Sequence, residues 1–261
     1  MFTHADASAS GVARGATPLA RFLFPSRCLS CRRRDVERLW QGGICAACWN
    51  AVEPPAATRC AVCDEPVEDE AASPCGRCRI APPAFESLRS ATPYRGAGRQ
   101  ILLAFKFRGA DYLARHLAAR MCERLPPPEG IHEIACVPAA SRWRREDHAA
   151  ELLAGAVAAR LGRPFARRRL VKTRDTERQS RLALTDRERN VRDAFRARRP
   201  CPENILLVDD VATSGATARE CARALARAGA RRVLVWCFAR ASRAEPAFEV
   251  PGIPEAPSGP D

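Results

Sequence analysis

Long apolar runs are missing from this chain. None approaches the roughly 18 consecutive apolar residues of a bilayer-spanning helix, so no membrane insertion is expected. The first 20 residues lack the apolar core of roughly 7–15 residues that marks a secretory signal, and a cytoplasmic protein is expected. Lysine is nearly absent: of 43 basic residues only Lys106 and Lys172 are lysine. Such a bias is common in GC-rich coding, so the arginine excess says little by itself about bidentate phosphate recognition. It makes the two lysines more interesting as cations. Aromatics are only 6% of residues, so gripping unpaired nucleic acid by base stacking has few side chains to use.

Positive charge is present but unevenly spread. Of the formal net charge of +13, residues 1–80 contribute 10 basic and 9 acidic groups, and residues 201–261 contribute 7 and 8. Residues 81–200 carry 26 against 13 and supply the excess. A basic face of that size attracts polyanions, either nucleic acid or a small multiply phosphorylated ligand. Weak single- or double-stranded DNA binding is one expectation from it.

Cysteine is abundant and ordered. Eight of the 13 cysteines form four Cys-x-x-Cys pairs: Cys28/Cys31, Cys45/Cys48, Cys60/Cys63 and Cys75/Cys78. Two residues between thiolates suit a knuckle that aims both sulfurs at one tetrahedral ion, so eight ligands suggest about two structural Zn²⁺. A reducing cytoplasm argues against disulfides, and redox Cys-x-x-Cys motifs normally come singly. The segment is rich in Pro, Gly and Arg, so metal must replace a missing core. Sequential ligation is simplest, with 28/31 joined to 45/48 and 60/63 to 75/78; spacing leaves an interleaved order open. Cys122, Cys136, Cys221 and Cys237 lie in apolar contexts and read as small buried hydrophobes, whereas Cys201 precedes a proline.

The most informative stretch is Ile205-Leu206-Leu207-Val208-Asp209-Asp210-Val211-Ala212-Thr213-Ser214-Gly215-Ala216-Thr217. Four aliphatics bounded by turn formers read as a buried parallel strand over 205–208. Two carboxylates follow at its carboxyl end, where open α/β sheets bind ligands. Small and hydroxyl residues then lead into a helical pattern, and such a loop offers backbone N–H groups to an anion. Carboxylates suit hydroxyls or a hydrated cation, and the loop suits a phosphate. A sugar phosphate satisfies both. The plainer alternative, an acid capping an ordinary helix, needs only one carboxylate and not this order of residues.

The remaining pattern alternates strand and helix. Strands are expected at 87–93, 133–137, 164–170 and 233–238, and helices at 99–107, 111–125, 147–161 and 216–228. The 147–161 helix should turn Leu152, Leu153, Ala156, Val157 and Leu161 inward and close at Gly162. Residues 172–200 are strongly polar and show no core stripe. Residues 1–25 and 241–261 read as disordered tails. Right-handed crossovers between such strands give a parallel sheet flanked by helices.

The strand, acid pair and Thr-Ser-Gly-Ala-Thr loop resemble the phosphoribosyl-pyrophosphate (PRPP) signature of type I phosphoribosyltransferases. Taken with the four cysteine pairs, Tyr94-Arg95-Gly96, Phe105-Lys106-Phe107-Arg108-Gly109, Val137-Pro138, Arg142-Trp143-Arg144-Arg145 and Gln179, Leu182, Arg189, Asn190, Val191 and Phe195, the chain resembles the ComF family. That resemblance implies a double zinc ribbon, over 26–80, fused to a type I phosphoribosyltransferase-like α/β domain, over 87–240. It implies association with competence and DNA uptake. Asp209 and Asp210 would hold the ribose hydroxyls of PRPP, and Thr213, Ser214, Gly215, Ala216 and Thr217 its 5′-phosphate, with Mg²⁺ on the diphosphate. Lys106, Arg145 and Lys172 are the candidates for the pyrophosphate. One stretch departs from the family: Arg145-Glu146-Asp147-His148-Ala149 stands where Arg-Gly-Phe-Asn-Gln is usual. Losing the glycine hinders close backbone approach to phosphate, and two added acids repel it. His148 there reads as solvated. Two readings follow, a PRPP-dependent transferase with an unknown acceptor and a non-catalytic scaffold that binds DNA or an uptake motor protein.

Overall fold

The architecture is given by a computed structural model in which the described residues are 27–33, 36, 43–125, 129–139, 148–174 and 189–242. A four-stranded parallel sheet forms the centre, built from β1 (Ser87–Pro93), β2 (Glu133–Cys136), β5 (Asn204–Ala212) and β6 (Arg232–Arg240) in the order β1-β6-β5-β2. A separate antiparallel pair joins β3 (Leu170–Lys172) to β4 (Phe195–Ala197). The helices are α1 (Ala46–Asn50), α2 (Gly76–Ile80), α3 (Gly96–Phe107), α4 (Ala114–Arg124), α5 (Ala149–Leu161) and α6 (Ala216–Arg227). No helix among the described residues is long and apolar enough to cross a membrane.

Alternation along the two central strands makes two cores. Leu206, Val208, Leu234, Trp236 and Phe238 face α3, α4 and α5 on one side. Ile205, Leu207, Val233, Val235 and Cys237 face α6 on the other. The route from β1 to β2 and the route from β5 to β6 run across the sheet in opposite directions. Right-handed crossovers therefore need helices on opposite faces, as found. β5 and β6 are buried on both faces, which is why 205–208 and 233–235 read as unbroken aliphatic runs.

The cysteine-rich segment is divided between the same two faces. Cys28, Ile44, Cys45 and Val52 belong to the core under α3–α5, and Cys60, Cys63 and Cys78 to the core under α6. The chain thus straddles the β1 edge of the sheet. Along that edge Leu88 N–H donates to Val62 O at 2.7 Å, while buried Asp64 accepts from Ser90 N at 2.8 Å and from Arg59 at 2.7 Å. An open strand edge is thereby closed by the neighbouring segment.

Several expected boundaries shift. β5 runs through the acids to Ala212 instead of ending at 208, because β6 goes on pairing with it after β2 has stopped. α3 begins at Gly96, not 99: buried Gly98 lets the helix lie so close to β1 that an added Cβ would meet Thr92 Oγ1 at 2.9 Å. The expected 111–125 helix is a 3₁₀ turn at Asp111–Leu113 followed by α4. In α5 the buried stripe is Ala150, Leu153, Ala154, Val157 and Ala158, with Leu152, Ala156 and Leu161 only partly covered. Alanines fill the inner face because α4 and α5 pack closely, leaving the larger leucines at its margin. Gly162 ends the helix in the left-handed region, φ 61°, as expected. Within 164–170 only Phe165 bridges to Ile134, and the strand proper is Leu170–Lys172. Its partner β4 lies in the segment read as coreless, yet Val191, Ala194 and Phe195 are buried there against the α6 face.

Candidate functional site

Each cysteine quartet converges. The thiol sulfurs of Cys28, Cys31, Cys45 and Cys48 lie within 4.8 Å of one another, and so do those of Cys60, Cys63, Cys75 and Cys78. The pairing is sequential. Sγ–Sγ distances of 3.8 Å (Cys28–Cys48) and 3.6 Å (Cys63–Cys75) match a tetrahedral ion with Zn–S near about 2.3 Å, far beyond a disulfide bond. Backbone amides point at the sulfurs: Cys45 N donates to Cys28 Sγ at 3.3 Å, and Cys75 N to Cys60 Sγ at 3.2 Å. Burial pushes the Cys48 thiol up to about 12, and burial with neighbouring thiols also raises Cys63 and Cys78. Four crowded thiols, two buried in the first quartet and three in the second, hold four thiolate charges together most readily around a cation, so the two Cys₄ clusters fit two structural zinc ions.

The second constellation sits at the carboxyl end of β5. β2 pairs with β5 only from Ile205 to Val208, so Asp209 and Asp210 lie where β5 outruns its neighbour. Asp210 is buried and Asp209 half-buried. The Asp210 amide donates to Asp209 Oδ1 at 2.8 Å, and the Val211 amide to Asp210 Oδ1 at 2.6 Å. Lys106, from the last turn of α3, places Nζ 2.7 Å from Asp210 Oδ2. Burial, and then the Asp210 carboxylate beside it, pushes the Asp209 carboxyl up to about 8. Burial alone would lower the Lys106 ammonium, but the Asp210 charge and hydrogen bond outweigh it and the net shift is upward. One end of the sheet therefore carries an ion-paired acid beside an acid that holds its proton near neutral pH.

The loop after β5 turns sharply into α6. Gly215 takes φ 74°, a left-handed conformation, at the helix N-cap. Ser214 is buried, and its Oγ accepts from Ala216 N at 3.3 Å. Arg77 donates to Ser214 O at 2.5 Å, and Arg240 to Thr213 O. Both arginines were missed in the sequence. Arg77 is one of many arginines between cysteine ligands, and Arg240 closes an ordinary strand; neither position carries a local signal.

Of the other named candidates, Lys172 is on β3 and pairs across to Phe195. Arg145, with Gln179 and Leu182, falls outside the described residues. His148 is the N-cap residue of α5, with Nδ1 3.7 Å from Glu151 Oε2, a helix-start pair on a partly exposed side chain. Cys136, Cys221 and Cys237 are buried as expected, and Cys122 and Cys201 are half-buried. A cavity of about 340 Å³ lies between the β3–β4 pair and α6, with Thr173, Asp193, Phe195 and Arg227 in its wall. The acids and the loop do not line it, and the chemistry is better placed at the end of β5.

A parallel sheet with an acid pair near the end of its central strand and a small-residue loop after it, preceded by two Cys₄ knuckles, defines an α/β protein with an N-terminal double zinc ribbon. Residues 19–79 match the double zinc ribbon domain family. The "DNA utilization protein YhgH" of Salmonella typhi is 33% identical over 83% of this chain and 97% of that protein, and its Escherichia coli K12 counterpart is 31% identical over the same shares. The "Competence protein F" of Haemophilus influenzae is 25% identical over 84% of this chain and 98% of its own length. The chain belongs to the ComF family that these proteins represent. Among solved structures, glutamine PRPP amidotransferase from B. subtilis, complexed with ADP and GMP, aligns at TM-score 0.36 and 22% identity, over 49% of this chain and 26% of that one. That likeness is too slight to carry an argument.

Proposed function

We propose that residues 209–217 bind PRPP with Mg²⁺, and that the protein uses this site in DNA uptake or utilization, transferring a phosphoribosyl group to an acceptor. The observation that carries the reading is the pair Asp209–Asp210 near the carboxyl end of the central strand, two residues before the loop that feeds α6. In this reading both carboxylates accept hydrogen bonds from the ribose 2′- and 3′-hydroxyls, and the loop amides hold the 5′-phosphate. Lys106 leaves Asp210 for the diphosphate as the ribose takes its place. Arg145 and Lys172 are further cations for pyrophosphate. The two carboxylates are a poor all-protein cage for Mg²⁺, since one is ion-paired and the other is held protonated by burial. Mg²⁺ would arrive with the diphosphate and would supply positive charge to offset that of the leaving pyrophosphate. Departure of pyrophosphate breaks the C1′–O bond and leaves an oxocarbenium-like carbon for an acceptor nucleophile.

Calorimetry with PRPP and Mg²⁺ tests the site. Asp209→Ala or Asp210→Ala should weaken binding by about 1.5–3 kcal/mol, the range for hydrogen bonds to charged groups. Thr213→Val keeps the backbone amides and should cost less. Equal binding by the wild type and Asp209→Ala rejects the assignment. Release of pyrophosphate during a screen of nucleobases and nucleosides would establish transfer.

The names of the relatives and the basic excess in residues 81–200 favour a second reading, in which the protein is a non-catalytic scaffold. Its zinc ribbons and basic surface would then hold DNA or an uptake motor protein, and PRPP would act as a regulator. PRPP binding without pyrophosphate release under any acceptor is the outcome that selects it.

A further inference from the structure

We propose that Arg77 is a positioning residue for the phosphate loop, and that the second cysteine cluster is a structural part of the ligand site. The inference rests on the reading of residues 213–217 as a phosphate loop.

Arg77 lies between the ligands Cys75 and Cys78, on α2. Its guanidinium reaches across to Ser214 O at 2.5 Å. The preceding carbonyl, Thr213 O, accepts from buried Arg240, which is held at 2.6 Å by Glu65, a residue between Cys63 and Cys75. From the helix side, Arg219 of α6 donates to Cys78 Sγ at 3.3 Å and to Ala81 O at 2.7 Å. Two successive loop carbonyls are therefore fixed by arginines that the cluster segment supplies or orients. In a trans peptide the C=O and the following N–H point in opposite directions. Both peptides are trans, the only cis bond among the described residues being Ser73–Pro74. Holding the carbonyls of Thr213 and Ser214 toward the cluster thus turns the amides of Ser214 and Gly215 away from it, toward the anion that the loop would receive. Without that hold the Gly215 peptides are free to rotate, because glycine has little steric preference. Among the described residues the first cluster makes no such contact: Arg124 donates to Val52 O and Glu53 O at the end of its segment and to Ala91 O of β1, on the opposite face.

The test uses the full-length, zinc-loaded protein and compares Arg77→Ala, Arg77→Lys and Arg124→Ala with wild type. Zinc content, amide hydrogen exchange of residues 213–217 without ligand, and PRPP–Mg²⁺ affinity are read for each. Arg77→Ala should exchange faster in that loop while β5 and β6 stay protected, and its affinity should fall about tenfold, the scale of one hydrogen bond to a charged group. Arg77→Lys, at wild-type zinc content, should fall between. Arg124→Ala should leave loop exchange at the wild-type rate. Wild-type exchange and affinity in both Arg77 variants would overturn the proposal. If wild-type protein fails to bind PRPP, the reading of the loop as a PRPP site fails, and the exchange rates still decide whether Arg77 orders it.

Discussion

Asp209 is the residue whose chemistry is least at ease in the fold. An ordinary aspartate ionises near 3.8, and here burial and the Asp210 charge lift it to about 8. A carboxyl whose folded pKa is raised favours folding fully below its unfolded pKa, and that contribution is lost as pH rises through the folded value. Wild-type stability should therefore decline up to about pH 8 and level off above. Asp209→Asn removes the titration, so its Tm advantage over wild type should widen from pH 6 to pH 8 and then hold constant. Thermal melts between pH 6 and 9, where cysteine–metal bonds survive, check this; a constant gap across the range would mean that Asp209 is already ionised at pH 6. The ionised form is the stronger acceptor for ribose hydroxyls, so PRPP affinity should rise over the same interval. A residue that costs stability and serves a ligand is what a binding site at the end of a strand is expected to contain. The adjacent Lys106 offsets part of the cost by pairing with Asp210, which explains how two acids can stand side by side before any ligand arrives.

At the scale of elements, what the sequence shows depends on how local the cause is. Ile205 to Val208 and Val233 to Phe238 read as strands because both faces are buried, and the Cys-x-x-Cys knuckles announce themselves because ligand geometry is set within four residues. The Gly162 helix stop was legible for the same reason. The β3–β4 pair was not: Phe195 and Val191 are single apolar residues in a polar stretch, and their burial comes from α6, far along the chain. In the α5 stripe Leu153 and Val157 were legible, but Ala150, Ala154 and Ala158 were not, because alanine is small enough to lie inside or outside, and only the closeness of α4 decides. The hold of Arg77 and Arg240 on the loop lies beyond any local pattern, since the partners are 137 and 27 residues apart. Metal content follows from the elements too. Elemental analysis should give about two Zn²⁺ per chain. Because the cysteine segment covers both the β1 edge and parts of both cores, strong chelation should expose that edge and produce aggregation, not a soluble apo domain. Retention of a sharp thermal transition and solubility after complete metal removal would contradict it.

At the scale of the whole molecule, the basic excess of residues 81–200 governs any contact with nucleic acid. Much of the arginine in the charged segment is engaged internally: Arg89, Arg95, Arg108, Arg124, Arg169 and Arg174 all donate to protein acceptors. Several of those bonds dock the cysteine segment or join Arg174 to Asn190 and Arg192, so the count of charges overstates what a polyanion could find. Exposed pairs such as Arg95–Glu53 still leave a positive field, because each carries little net cost to break. Duplex and single-stranded DNA should accordingly bind weakly and without sequence preference, with affinity falling on a log–log salt plot by about 0.9 for each duplex phosphate neutralised. The number of phosphates read from that slope should be small, about two to four, if the docked arginines stay docked. Binding should survive Asp209→Ala and need no Mg²⁺, because it draws on surface charge and not on the end of β5. With Phe107 and Tyr112 the exposed large aromatics among the described residues, stacking adds little, and single strands should gain no more than a modest preference. Filter binding at two salt concentrations measures both quantities. Affinity that ignores salt, or none at low salt, removes DNA from the surface and leaves the scaffold reading with the motor protein alone; a slope that vanishes in Asp209→Ala would move the DNA contact onto the acid pair and its loop.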